Sequence, residues 1–128
     1  MCIRDRNKRI AFLGVTFKPN TDDMRDSSSL KMIPYLSKKA AKLSYYDPSG
    51  EKNEFKKIKN CSYKTNIKSN CLDADLIIIL TEWDEFKSID FKKIVKNKQV
   101  KIYDLRNLYN VKDMKKNKLK YYSVGRSS

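Results

Sequence analysis

Short apolar runs alternate with polar, lysine-rich stretches along the chain, and the runs have the length of strands. RIAFLGV (9–15) is rich in branched and aromatic residues and stops at a glycine, the pattern of a buried strand. KLSYYDP (42–48) predicts a second strand, ended by Asp-Pro. ADLIIILT (74–81) is the most apolar run and predicts a central strand, and VKIYDLR (100–106) and LKYYSVG (119–125) predict two more. Between the first two strands, Ser27 to Ala41 carries Leu30, Ile33, Leu36 and Ala40 at spacings of three and four. Serines ahead of them can cap the first turn, so this segment predicts an amphipathic helix, with Pro34 delaying its start or kinking it. In DEFKSIDFKKIVKN (84–97), Phe86, Ile89, Ile94 and Val95 define a candidate buried face.

Strands that alternate with helical segments, without tight Asn-Gly hairpins, predict strand–helix–strand units and a parallel sheet covered on both faces. The expected fold is α/β, a Rossmann-like three-layer sandwich with a mainly parallel sheet. A chain of 128 residues is one domain's worth, with a single core covering roughly two thirds of the unfolded surface. In such sheets ligands bind beyond the carboxyl ends of the strands, where the first strand passes into the first helix. The stretch GVTFKPNTDDMRDSSSL (14–30) occupies that place.

Charge changes the picture less than its size suggests. The formal net charge is +14, which raises nucleic acid as a partner. Of 29 cationic residues 23 are lysines, scattered through 52–59, 92–101 and 112–120 rather than gathered with aromatics or arginines in one stripe. That distribution fits a solvated surface, and no nucleic-acid partner is expected. No apolar run approaches the roughly 18 residues of a membrane span, so no membrane partner is expected either. Three cysteines, Cys2, Cys61 and Cys71, lack any CxxC spacing, and the chain has no histidine. Neither a disulfide framework nor a metal site is suggested, and reduced thiols in a cytoplasmic protein fit best. The first six residues, MCIRDR, contain no apolar segment that would make a signal peptide and are expected to be a non-native leader.

The stretch 14–30 holds the candidate chemistry. Gly14 suits a close approach by a ligand or a neighbouring backbone, or simply a turn. The dinucleotide fingerprint G-x-G-x-x-G would need glycines where Thr16 and Pro19 stand, so a backbone cradle for a pyrophosphate is not predicted. Lys18 offers a cation to a phosphate or sugar hydroxyl, against the commoner alternative of one more solvated lysine. Asp22, Asp23, Arg25 and Asp26 form a mixed-charge cluster ahead of the helix, either a ligand-facing group or a self-paired surface network.

Four motifs in order, GVTFKPNTDDMRDSSSL (14–30), YDP (46–48), ADLIIILTEWDEF (74–86) and DLRNLY (104–109), resemble the C-terminal, nucleotide-sugar-binding domain of the UDP-glucose 6-dehydrogenase family. The similarity runs over about 8 to 125. It implies that 7–128 is the C-terminal UDP-sugar-binding domain of an NAD-dependent nucleotide-sugar dehydrogenase, with the N-terminal NAD-binding and central domains missing. Family members oxidise the 6-hydroxyl of a UDP-sugar twice with two NAD+, and a central helical segment forms the homodimer or larger oligomer. The resemblance implies Phe17 and Lys18 as substrate contacts, Arg106 as a substrate-binding arginine and Arg25 as an arginine reaching NAD. Paired hydrogen bonds from arginine suit diphosphates and sugar oxygens. Asp104 is then expected to orient Arg106, Trp83 to pack, and Thr81 and Glu82 to shape the loop after the central strand. No catalytic residue is expected in this chain, because the family's nucleophilic cysteine precedes this domain and Cys61 and Cys71 match no motif. UDP-glucose is the expected substrate; the alternatives are a UDP-N-acetylhexosamine or GDP-mannose dehydrogenase, or a stand-alone nucleotide or polyanion-binding module.

Overall fold

The computed structural model describes residues 9–16, 29–38, 42–81, 83–96, 100–105 and 120–123. Six strands, β1 (Arg9–Leu13), β2 (Lys42–Tyr46), β3 (Cys61–Tyr63), β4 (Leu76–Ile79), β5 (Lys101–Asp104) and β6 (Lys120–Ser123), form one sheet in the order β3-β2-β1-β4-β5-β6. Every pairing is parallel. This is the order of a doubly wound sheet, whose direction of winding reverses between β1 and β4. The Rossmann-like three-layer sandwich expected from the sequence is observed, with a sheet that is parallel throughout.

The alternation of side chains along the strands divides the core in two. Register pairs Ile10 with Leu76 and Phe12 with Ile78, and these four join Leu43, Tyr45 and the α1 (Ser29–Ser37) residues Ile33 and Leu36 on one face. Ala11, Leu13, Ile77 and Ile79 point the other way, against Cys71 at the end of α2 (Ile67–Cys71), Phe91 at the start of α3 (Phe91–Ile94), and Phe86. A parallel strand covered on both faces needs apolar residues at every position, and β4, LIII, is buried along its whole length. Pro34 lies inside α1 and cannot donate to the Leu30 carbonyl; the described helix ends one turn later.

The structure also departs from the expected elements. The strand β3 and the helix α2 were not singled out by periodicity. β3 is a three-residue edge strand bonded only to β2, and α2 is a five-residue helix whose Asn66 N-cap accepts from the Ser69 amide at 2.7 Å. The segment 84–97, for which the sequence indicated only a buried face, holds a 3-10 turn at Asp84–Phe86 ahead of α3, and 97 lies outside the described residues. Its apolar residues still face the core, with Phe86 and Val95 buried and Ile89 and Ile94 packed against them.

Candidate functional site

The carboxyl end of the sheet is built around the exit from β1. Gly14 has φ +79°, the left-handed region that side chains rarely adopt, and its amide donates to the Tyr46 carbonyl at 2.9 Å. A Cβ there would lie 2.6 Å from the Thr81 Cβ, so the glycine is required both by its backbone and by the neighbour across from β4. The sequence left open an approach by a ligand or a neighbouring backbone; the close neighbour is Thr81, chiefly its side chain.

The next two residues are stapled from both sides. Asp47, directly after β2, accepts from the Val15 amide at 2.8 Å and the Thr16 amide at 3.2 Å through Oδ2. Its Oδ1 accepts from the Ser49 amide at 2.8 Å and the Ser49 hydroxyl at 2.5 Å, an Asx turn. Lys52 extends this network, donating from Nζ to the Ser49 hydroxyl at 2.5 Å and from its amide to the Tyr45 hydroxyl at 2.7 Å. From the β4 side, the Thr81 hydroxyl donates to the Thr16 carbonyl at 2.6 Å. Burial of Tyr45 pushes its hydroxyl up to about 12, so it stays a neutral donor and acceptor at physiological pH.

Six polar or charged residues are buried among the described ones, and five of them, Thr16, Asp47, Lys52, Thr81 and Asp104, lie at or just beyond the carboxyl ends of strands. Buried polar groups without partners cost roughly 1–3 kcal/mol each, which is why these are hydrogen-bonded to one another or to main chain. Asp104, at the end of β5, accepts from the Tyr121 hydroxyl at 2.6 Å across to β6. Trp83 packs against the second core as expected, and its buried indole Nε1 has no hydrogen-bond acceptor among the described residues. Thr81 holds the loop after β1 through its hydroxyl.

Phe17, Lys18, Arg25 and Arg106, the residues implied as ligand contacts, lie outside the described residues, as does Glu82. In the sequence Phe17 directly follows Thr16, and Arg106 comes two residues after Asp104. Cys61 and Cys71 are described, and burial pushes both thiols up to about 12, far from the thiolate form a nucleophile needs. Sequence reasoning missed the part played by Asp47, Ser49 and Lys52; an aspartate ending a strand before Pro-Ser-Gly is an Asx-turn signal that could have pointed to it.

The geometry bears on cofactor chemistry too. In dinucleotide-binding folds the first turn offers its amides to a pyrophosphate. Here the Val15 and Thr16 amides are spent inward on Asp47 and the space above Gly14 is filled by Thr81. The described start of the β1 turn, residues 14–16, therefore does not present these two amides to a pyrophosphate. Among the described residues, no helix is long and apolar enough to cross a membrane.

A doubly wound parallel sheet whose first strand ends in residues 14–16, held by Asp47 and Thr81, defines a Rossmann-like domain. The model of the UDP-glucose/GDP-mannose dehydrogenase family, UDP binding domain, matches residues 11–111, and the chain belongs to this family. It is 38% identical over 122 residues to a UDP-glucose 6-dehydrogenase of Rhizobium meliloti (strain 1021), covering 94% of this chain and 28% of that protein. A UDP-D-ManNAc dehydrogenase structure from Pyrococcus horikoshii superposes with a TM-score of 0.72 at 26% identity, over 97% of this chain and 27% of that one. An NDP-N-acetyl-D-galactosaminuronic acid dehydrogenase from Methanosarcina mazei Go1 shares the fold with a TM-score of 0.80 at 21% identity, over 94% of this chain and 25% of that one. The chain thus spans little more than a quarter of the relatives it matches and corresponds to their C-terminal UDP-binding domain.

Proposed function

We propose that this chain is the substrate-closing domain of an NAD-dependent UDP-glucose 6-dehydrogenase, which converts UDP-glucose and two NAD+ to UDP-glucuronate. The observation that carries the reading is the pinned β1 exit in a domain of the UDP-binding family: with the turn's amides spent on Asp47, diphosphate recognition falls to the side chains that follow. On this reading Phe17 and Lys18 contact the UDP-sugar, Arg106 contacts the substrate, and Arg25 reaches NAD held mainly by another domain. Lysine and arginine suit that task, one as a point charge and the other as a planar fork for phosphate oxygens. Identity to curated UDP-glucose 6-dehydrogenases favours glucose as the sugar. The hydride-accepting NAD site, the nucleophilic thiolate and the homodimer-forming segment belong to parts of the cytoplasmic full-length protein outside these 128 residues. The chain alone then turns over no substrate, in keeping with thiols that burial holds protonated.

Calorimetric titration of the 128-residue chain with UDP, UDP-glucose and a short DNA duplex tests the binding half of this reading. UDP and UDP-glucose are expected to bind, with Lys18→Ala and Arg106→Ala each weakening binding by about 1–3 kcal/mol, the scale of a lost charged hydrogen bond. Binding of DNA with no binding of either nucleotide would favour a polyanion module and sink the dehydrogenase reading.

A further inference from the structure

The acid at the end of the second strand of a Rossmann-like sheet ordinarily faces a ribose. In this protein Asp47 faces inward, fully buried, and both of its oxygens are occupied by the chain itself. Two of its four donors are the consecutive amides of Val15 and Thr16, the groups that a phosphate would take at the first turn of a dinucleotide-binding domain. The carboxylate thus sits where a bound anion would sit. The remaining contacts are donors as well: the Ser49 amide and hydroxyl donate to Oδ1, and the buried Lys52 ammonium donates to that same hydroxyl. Thr81 closes the other side by donating to the Thr16 carbonyl, so Thr16, the residue before Phe17, is held at both its N–H and its C=O.

We infer that Asp47 is a positioning residue for nucleotide capture, a built-in anion that replaces a ligand phosphate at the β1 turn and, with Ser49 and Lys52, sets the direction in which the chain enters Phe17 and Lys18. The inference rests on the UDP-binding reading above and adds to it the device that makes a lysine, rather than a glycine-rich turn, the diphosphate contact. Replacing the carboxylate takes this acceptor away from the Val15 and Thr16 amides and loosens the exit from β1. Because what is needed is an anion at that point, a small carboxylate supplied from solution should stand in for the missing side chain.

The test uses the 128-residue chain, comparing the native sequence with Asp47→Ala, Asp47→Asn and Lys52→Met. UDP affinity is measured calorimetrically and the backbone amide signals by NMR, each with and without added sodium formate, and with sodium chloride at equal ionic strength as the control. Asp47→Ala is expected to weaken UDP binding about tenfold or more, a difference of about 1.4 kcal/mol or more. Formate, and not chloride, should recover part of the loss. Asp47→Asn, which keeps the volume and one oxygen, should fall between, and Lys52→Met should weaken binding less than Asp47→Ala. The amide signals of Val15, Thr16 and residues 17–26 should move in Asp47→Ala and return with formate. A folded Asp47→Ala chain that binds UDP as the native chain does, or whose losses chloride restores as well as formate does, overturns the inference and leaves the UDP reading standing. If the native chain binds no UDP, that reading fails by itself. The amide signals then still decide whether Asp47 directs the loop: unchanged 17–26 signals, in Asp47→Ala or in Asp47→Asn where alanine does not fold, reject it.

Discussion

At the carboxyl end of the sheet the polar groups are buried and partnered, whereas at the amino end they lie in solvent and meet loosely. Asp47, Thr81 and Asp104 are all 0% exposed and each makes a bond of 2.8 Å or shorter. At the amino end, Arg9 meets Asp73 at 3.7 Å and Lys96 meets it at 3.8 Å, with side chains 52–71% exposed. The Arg9 amide donates to Asp75 at 3.0 Å in an exposed setting. Exposed ion pairs contribute little because water and salt screen them. Buried polar groups cost roughly 1–3 kcal/mol each when left unpaired, so they fix geometry where they occur. The same sheet is therefore held at one end by apolar packing with a tolerant polar fringe, and at the other by a polar network that admits few alternatives. The rigid end is the one from which the candidate ligand-binding segments depart.

Substitutions at the two ends sharpen the contrast. The largest expected effect is at Asp47: removing its carboxylate leaves the Val15, Thr16 and Ser49 amides without their acceptor, and Asp47→Ala should cost roughly 3–5 kcal/mol in denaturant unfolding. Gly14→Ala comes next, at roughly 2–4 kcal/mol. It adds the left-handed backbone penalty to an overlap with the Thr81 Cβ at 2.6 Å, and a smaller cost of Gly14→Ala in a Thr81→Gly background, which removes that Cβ, would confirm the overlap. Thr81→Val keeps the shape and removes the hydroxyl from the Thr16 carbonyl, for about 1–2 kcal/mol. Asp73→Ala, at the amino end, should change stability by no more than about 0.5 kcal/mol even though it removes two ion pairs. An Asp73 variant as damaging as Asp47→Ala would erase the distinction between the ends.

Much of the sheet was legible because strands buried on both faces must be apolar throughout. ADLIIILT has few other destinations than a central parallel strand, and RIAFLGV carries the same message with its stop at Gly14. Strand β3 was not legible, since its three half-exposed or exposed residues carry no apolar pattern and owe their conformation to β2 alongside. The 84–97 segment showed its apolar face but not its break, as Phe86 and Phe91 reach one core from two short turns as well as from one helix. At the candidate site, the local turn chemistry of YDPSG was readable, but the partners of Asp47 were not. They lie 31 and 32 residues away, and the residues joined by the Thr81 bond lie 65 apart, separations that no local pattern encodes. The roles proposed for Phe17, Lys18, Arg25 and Arg106 come from the motif, whereas the anchoring of the chain that leads to Phe17 comes from the structure.

Amide hydrogen exchange on the 128-residue chain tests the central claim, that the β1 exit is held as firmly as the core, most directly. Val15 and Thr16 are expected to exchange only with global unfolding, at the same free energy as Phe12 in the middle of β1, while the Arg9 amide at the opposite end opens at a much lower one. Exchange of Val15 and Thr16 as fast as that of Arg9 would contradict the account.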